Sequence, residues 1–195
     1  MHPLMTRLHN DHRRFQRLFQ CLKQEILSLR GGSQRPVDLA VLLDAIDYIQ
    51  TYPEKWHHPV EDQICQCLLQ KKISQHRQVA AILAEHEQLE QLTEQLSQQI
   101  YSVASDCTLP ITELIDIAEE FVLQQSAHID SENLLLYPLI EKYLTDTDWC
   151  AIETGVAASV DPLFDTPQQE RYETLYQHLV TAVRTTPEAI GTQIL

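Results

Sequence analysis

Glycine is scarce in this chain, with four in 195 residues: Gly31, Gly32, Gly155 and Gly191. Those positions cannot build a Gly-rich phosphate loop, a dinucleotide fingerprint or a Gly-x-Ser-x-Gly elbow, which excludes the enzyme classes that depend on them. Basic charge is scarce too. Fourteen Lys and Arg stand against 28 Asp and Glu, a net charge of -14. Nucleic acid and anionic membrane surfaces both call for basic patches, so neither is expected as a partner. The acid excess favours cations instead. No stretch approaches the ~20 apolar residues of a membrane helix, and the N-terminal residues carry charges throughout, without an apolar signal core. The five cysteines, Cys21, Cys65, Cys67, Cys107 and Cys150, are odd in number and contain no Cys-x-x-Cys. They read as reduced thiols, and the expected location is the cytoplasm.

What is present is Leu, Gln and Glu in long amphipathic runs, the composition of an all-α chain. A first helix is expected over residues 3–29, with Leu8, His12, Phe15, Phe19, Leu22, Ile26 and Leu29 on its apolar stripe and Gly31-Gly32 as its stop. A second is expected over 36–69, with Ile46, Ile49, His57, Glu61, Ile64 and Leu68 inward. Pro53 and Pro59 should kink or break it beside His57. A third spans 74–102, through Val79, Leu83, His86, Leu89 and Leu96. A fourth spans 110–144, through Leu114, Phe121, His128, Glu132 and Leu139. Four such helices make an up-down-up-down four-helix bundle over residues 1–145. Residues 146–195 form a helical extension packed on the same domain, with a short helix over 148–158. A last helix, opened by the capping box at Thr166-Pro167-Gln168-Gln169, runs to about residue 184.

Each of the four helices carries one stripe histidine: His12, His57, His86 and His128. Three are followed four residues on by glutamate, giving the pairs His57/Glu61, His86/Glu90 and His128/Glu132. Residues four apart lie one above the other on a helix face. A single histidine on a core stripe is more often a buried imidazole satisfied by a neighbour than a ligand. The set reads differently. Burying carboxylates costs several kcal/mol each unless they are paired or bind a metal, and the stripes offer no Lys or Arg. Donors of N and O type without thiolate suit iron, manganese or zinc. Four histidines with two or three glutamates are too many for one zinc and fit a dinuclear centre. Helical phase puts His57 on the stripe with Glu61. It turns His58 ~100° away, to the surface or behind the ligands. Asp11, Tyr48, Tyr52 and Trp56 are candidates for tuning the site from behind. Cys65 reads as a small core residue.

The segments Asn10-Asp11-His12, Tyr52-Pro53-Glu54, His57-His58-Pro59-Val60-Glu61-Asp62, Glu85-His86 and His128-x-x-x-Glu132 with Tyr137-Pro138 resemble the bacterial hemerythrin-like, or HHE, cation-binding proteins. Asp148-Trp149 and Asp161-Pro162-Leu163-Phe164 resemble the tail of long members. The resemblance implies a non-heme di-iron site. His12, His57, His86 and His128 would be terminal ligands, with Glu61, Glu132 and an oxo or hydroxo group as bridges. Oxygen-carrying hemerythrins place two histidines four apart on the third helix, where this chain has His86 and Glu90. If Glu90 binds, an anion replaces a neutral ligand, which favours the ferric state and disfavours reversible oxygen carriage. Glu90 is otherwise an exposed acid or one behind the ligands. The expected ligand is dioxygen, nitric oxide or peroxide, in sensing or stress protection. An iron-storage or iron-responsive interaction module without turnover is the alternative, and a polar helical core without metal is the blandest reading. Oligomeric state is open between monomer and homodimer.

Overall fold

The computed structural model of the protein describes residues 2–31, 36–105, 110–156, 159–164 and 169–185. Eight α-helices are described: α1 Pro3–Leu29, α2 Leu39–Thr51, α3 His58–Leu69, α4 His76–Ala104, α5 Ile111–Ser131, α6 Tyr137–Tyr143, α7 Asp146–Gly155 and α8 Glu173–Thr185. No strand occurs among the described residues. Local chemistry sets several ends. Pro3 opens α1 without leaving a donor unpaired. Just past its C-cap Gly31 takes φ +73°, which a side chain would resist. The Asp38 side chain accepts from Ala40 and Val41 N–H at the start of α2.

The chain passes four times between two layers. At one end Ile26, Leu42, Ile46, Ile100, Leu114 and Phe121 close around an apolar cleft. At the other end lie His12, His57, His86 and His128, all buried. α1 leaves the histidine layer for the apolar one, α2 returns, α4 leaves and α5 returns. Full burial of each large apolar side chain contributes roughly 1.5–3 kcal/mol. That layer therefore supplies the rigidity that holds the histidine end in place.

Two π-helical turns interrupt the bundle, Pro53–His57 between α2 and α3, and Glu132–Leu136 between α5 and α6. Each closes on an i→i−5 bond, His58 N–H to Pro53 O and Tyr137 N–H to Glu132 O. In each case the next residue is a proline, Pro59 or Pro138. Proline has no N–H to give, and its ring clashes with the carbonyl four residues back. Widening the turn by one residue relieves both. The break expected beside His57 is therefore a π turn, and a second one lies beside Glu132.

Beyond the bundle, α7 packs on α3 and α8 on α2 and α1. A capping box at Thr145 and Asp148 opens α7, and Lys71, just past the end of α3, binds Asp148 at 2.7 Å. The one expected at Thr166 lies outside the described residues, as do Cys107 and the last ten residues. The other four cysteines form no disulfide among the described residues. The Asp161 motif docks on the bundle. Asp161 is fully buried, accepts from the Leu163 and Phe164 N–H groups and from Tyr48, and pairs with Arg14 at 3.0 Å.

Candidate metal centre

Within the histidine layer, two overlapping groups bring ligand atoms close together: His12, His57, Glu61 and Glu132 in one, Glu61, His86, His128 and Glu132 in the other. Both contain both carboxylates. Glu132 turns Oε2 to His12 Nε2 at 3.2 Å and Oε1 to His128 Nε2 at 3.2 Å and His86 Nε2 at 3.4 Å. Glu61 turns Oε1 to His12 Nε2 at 3.5 Å and Oε2 to His57 Nε2 at 3.3 Å and His86 Nε2 at 3.9 Å. Two ligands held about 2.0–2.2 Å from one ion sit about 3 Å apart, so these separations suit donors converging on a shared ion.

The Nδ1 atoms show how the rings are aimed. His57 Nδ1 donates to Asp11 at 3.3 Å, His86 Nδ1 to Asp62 at 2.5 Å, His128 Nδ1 to Glu85 at 2.8 Å, and His12 Nδ1 to the Asn133 carbonyl at 3.0 Å. Asp11 precedes His12, Asp62 follows Glu61, Glu85 precedes His86, and Asn133 follows Glu132. The chain neighbours of His12, Glu61, His86 and Glu132 thus each hold the histidine of the adjacent segment, and the four contacts close a ring around the bundle. Such partners fix the tautomer and leave Nε2 free to bind.

The donor atoms fit a metal. His57 Nε2, His128 Nε2, Glu61 Oε2 and Glu132 Oε2 are buried and make no well-formed hydrogen bond, each resting instead on an ion-pair contact of 3.2–3.3 Å. Four such atoms in one core would cost several kcal/mol unless an ion satisfies them. Without metal, the histidines hold the carboxylates. Burial opposes charge on His12, but Glu132 and Glu61 outweigh it and push its pKa up to about 10. His86 rises to about 10 against the same burial, through Asp62 and Glu132. His128, again against burial, rises to about 9, mainly through Glu132. Burial alone would raise Glu61, as would Glu132, yet His57 and His12 bring it down to about 2. Histidines raised in this way stabilise the fold fully below their unfolded value near 6.5, and that contribution is lost as pH rises through 9–10. The depressed Glu61 contributes above about 4.5 and loses it as pH falls toward 2. The melting temperature of the metal-free protein should therefore fall by roughly 5–10 °C between pH 7 and pH 10. A metal-loaded sample should change far less, because the ion replaces the protons. A flat alkaline limb in the metal-free protein would contradict this charge assignment.

The structure corrects two sequence expectations. Glu90 is not in the cluster: it is exposed and lines a groove on the outside of α4. After His86 the buried stripe steps by three to Leu89 and then by four to Thr93, so i+4 carries Glu90 past the edge of the buried face. His58, expected at the surface or behind the ligands, is buried among them. It groups with His86 and His128, stacks on His86 at 4.4 Å, and its Nδ1 has no partner. The π turn widens the helix just before it, and both His57 and His58 end facing inward. Burial first, then His86 and His128, hold the His58 pKa well below the usual value, leaving a neutral imidazole. Glu90, exposed outside the cluster, adds no anion to it, so the ferric preference expected from that anion does not arise.

Several neighbours of the site carry weak sequence signals. Tyr137 places its hydroxyl 2.9 Å from both His12 Nε2 and Glu61 Oε1. Gln125 is buried, its amide nitrogen has no partner, and it lines a cavity of about 10 Å³ beside His58, His128 and Phe19. Of the expected tuning residues, Asp11 and Tyr52 are linked at 3.0 Å behind His57. Trp56 lies under Arg7 at 3.6 Å, and Tyr48 faces Asp161.

The all-α bundle and its histidine–carboxylate layer define a helical cation-binding domain. A family model, the hemerythrin HHE cation-binding domain, matches residues 4–140. The chain belongs to this family. No curated protein matches it. Among the described residues no helix is long and apolar enough to cross a membrane.

Proposed function

We propose that the chain holds two non-heme iron ions, with Glu61 and Glu132 shared between them, and binds or reacts with a small ligand such as dioxygen, nitric oxide or peroxide. His12 and His57 serve one ion, and His58, His86 and His128 the other. The observation that carries this reading is that both ligand groups include both carboxylates, with the Glu132 oxygens turned to opposite halves. Iron bound there supplies redox and ligand-binding chemistry. Manganese and zinc are the possible substitutes. The chain's own residues do the rest. The ring of Asp11, Asp62, Glu85 and Asn133 aims the imidazoles. Phe15, Phe19 and Ile129 keep bulk water from the small cavity, and Gln125 offers it a hydrogen-bond donor. The cavity is about the size one water needs, which favours small ligands over bulky substrates.

Sensing, or protection against oxidative or nitrosative stress, is the role in best accord with a buried site that favours small ligands. The alternative is an iron-binding or iron-responsive module without turnover, because four donor atoms without a well-formed hydrogen bond make the fold sensitive to occupancy. Loading the protein with ferrous iron under anaerobic conditions and then admitting oxygen or nitric oxide separates them. A reactive centre should develop ligand-to-iron charge-transfer bands while iron stays bound. Iron that stays bound without spectral change, together with a large melting shift on loading, would favour the module.

A further inference from the structure

A groove of about 710 Å³ lies outside the inner centre, between α4 and the end of the second bundle helix. Glu87, Glu90 and Glu94 of α4 and Gln50 of α2 line it, and Glu54, from the first π turn, forms part of its wall. Acidic residues on a surface are ordinarily just solvated. Glu54 is the independent sign of a ligand. It is only 7% exposed, and its Oε1 has no hydrogen-bond partner. Lys55 also lines the groove, yet among the described residues Glu54 has no ion-pair partner. Burial, reinforced by Glu90 and Glu94 against Thr93 and Lys55, pushes the Glu54 carboxyl up to about 7. A buried acid facing other acids wants a cation.

The donors are oxygens only, from carboxylates and side-chain amides. That set suits hard divalent ions, which often take one or two carboxylates and complete their shell with water. Glu94 is partly occupied, accepting from Gln50 at 3.3 Å and Gln98 at 2.8 Å. Glu54 and Glu90 are therefore the main candidates to bind directly.

We propose that this groove is an outer divalent-cation site, with Glu54 and Glu90 as its principal ligands, separate from the histidine centre. It sits over the same turns as that centre: Glu54 is three residues before His57, and Glu90 four after His86. The site stands whether or not iron is the inner metal.

The test is a Mn2+ titration of the iron-loaded protein, freed of excess metal, read by the electron paramagnetic resonance signal of free Mn2+. The parent should take up one Mn2+ per chain at the groove. Glu54→Gln, which keeps the volume, should weaken that uptake about tenfold or more, and Glu90→Gln about threefold or more. Glu120→Gln, at an exposed position on α5, should leave it unchanged. Binding to Glu54→Gln within about twofold of the parent would overturn the site. Equal weakening in all three variants would also overturn it, by showing diffuse counter-ion attraction. Iron counted in the same samples tests the inner centre separately, because the parent-to-Glu54→Gln difference reports the groove even where the iron count fails.

Discussion

Replacing Glu132 by alanine should strip the centre of both ions. Glu132 is the residue whose two oxygens face opposite halves, His12 on one side and His86 and His128 on the other. Removing a partner that only supports a ligand already costs 10–100-fold in metal affinity. Removing a shared ligand should cost at least about 100-fold at both ions. The metal-free fold should suffer too. His12 and His128 lose their main counter-charge and His86 one of its two, and breaking a buried pair costs about 3–5 kcal/mol. In a domain of this size that lowers the melting temperature by roughly 10 °C. Glu132→Gln separates the two effects. It keeps the volume, so melting should recover in part while metal stays lost. Retention of one ion in either variant, measured by metal quantitation, would show that Glu132 serves one half only.

His58→Ala should weaken one ion, which keeps His86, His128, Glu61 and Glu132, and leave the other untouched. The group of His12, His57, Glu61 and Glu132 does not include His58, whereas the group of His58, His86 and His128 does. Metal content should drop from about two per chain toward one. His57→Ala should remove the opposite ion. His58 is neutral and its Nδ1 is unpaired, so the substitution deletes a ready donor without stranding a charge. The fold should tolerate it at about 1–3 kcal/mol. Full metal content in His58→Ala would return the residue to the surrounding shell, where helical phase had placed it.

The sequence located these helices and most of the residues that meet in the histidine layer for physical reasons, and the departures have physical reasons too. The stripe of α1 from Leu8 to Ile26 is buried as its 4-3 spacing demands. His12, His57, Glu61, His86, His128 and Glu132 meet because each lies on such a stripe. Phase failed at His58 because a π turn inserts a residue and rotates the helix beyond it. The prolines announced a break there, but not its form. Spacing alone also misplaced Glu90: a shared face over one turn does not say which edge of that face is buried. The ring of Asp11, Asp62, Glu85 and Asn133 was present as polar residues flanking each ligand. Their targets sit on neighbouring helices, so only the packing reveals them. Gln125 was invisible for the same reason, and Tyr137 was visible only as part of a family motif, without its contacts to His12 and Glu61.

Whether two ions share Glu61 and Glu132 is decided by Mössbauer spectroscopy of the iron-loaded protein combined with metal quantitation. The expected result is about two irons per chain, with spectra of a magnetically coupled pair whose two sites differ, as two histidines on one side and three on the other require. One uncoupled iron per chain, or a protein that retains only zinc, would contradict it.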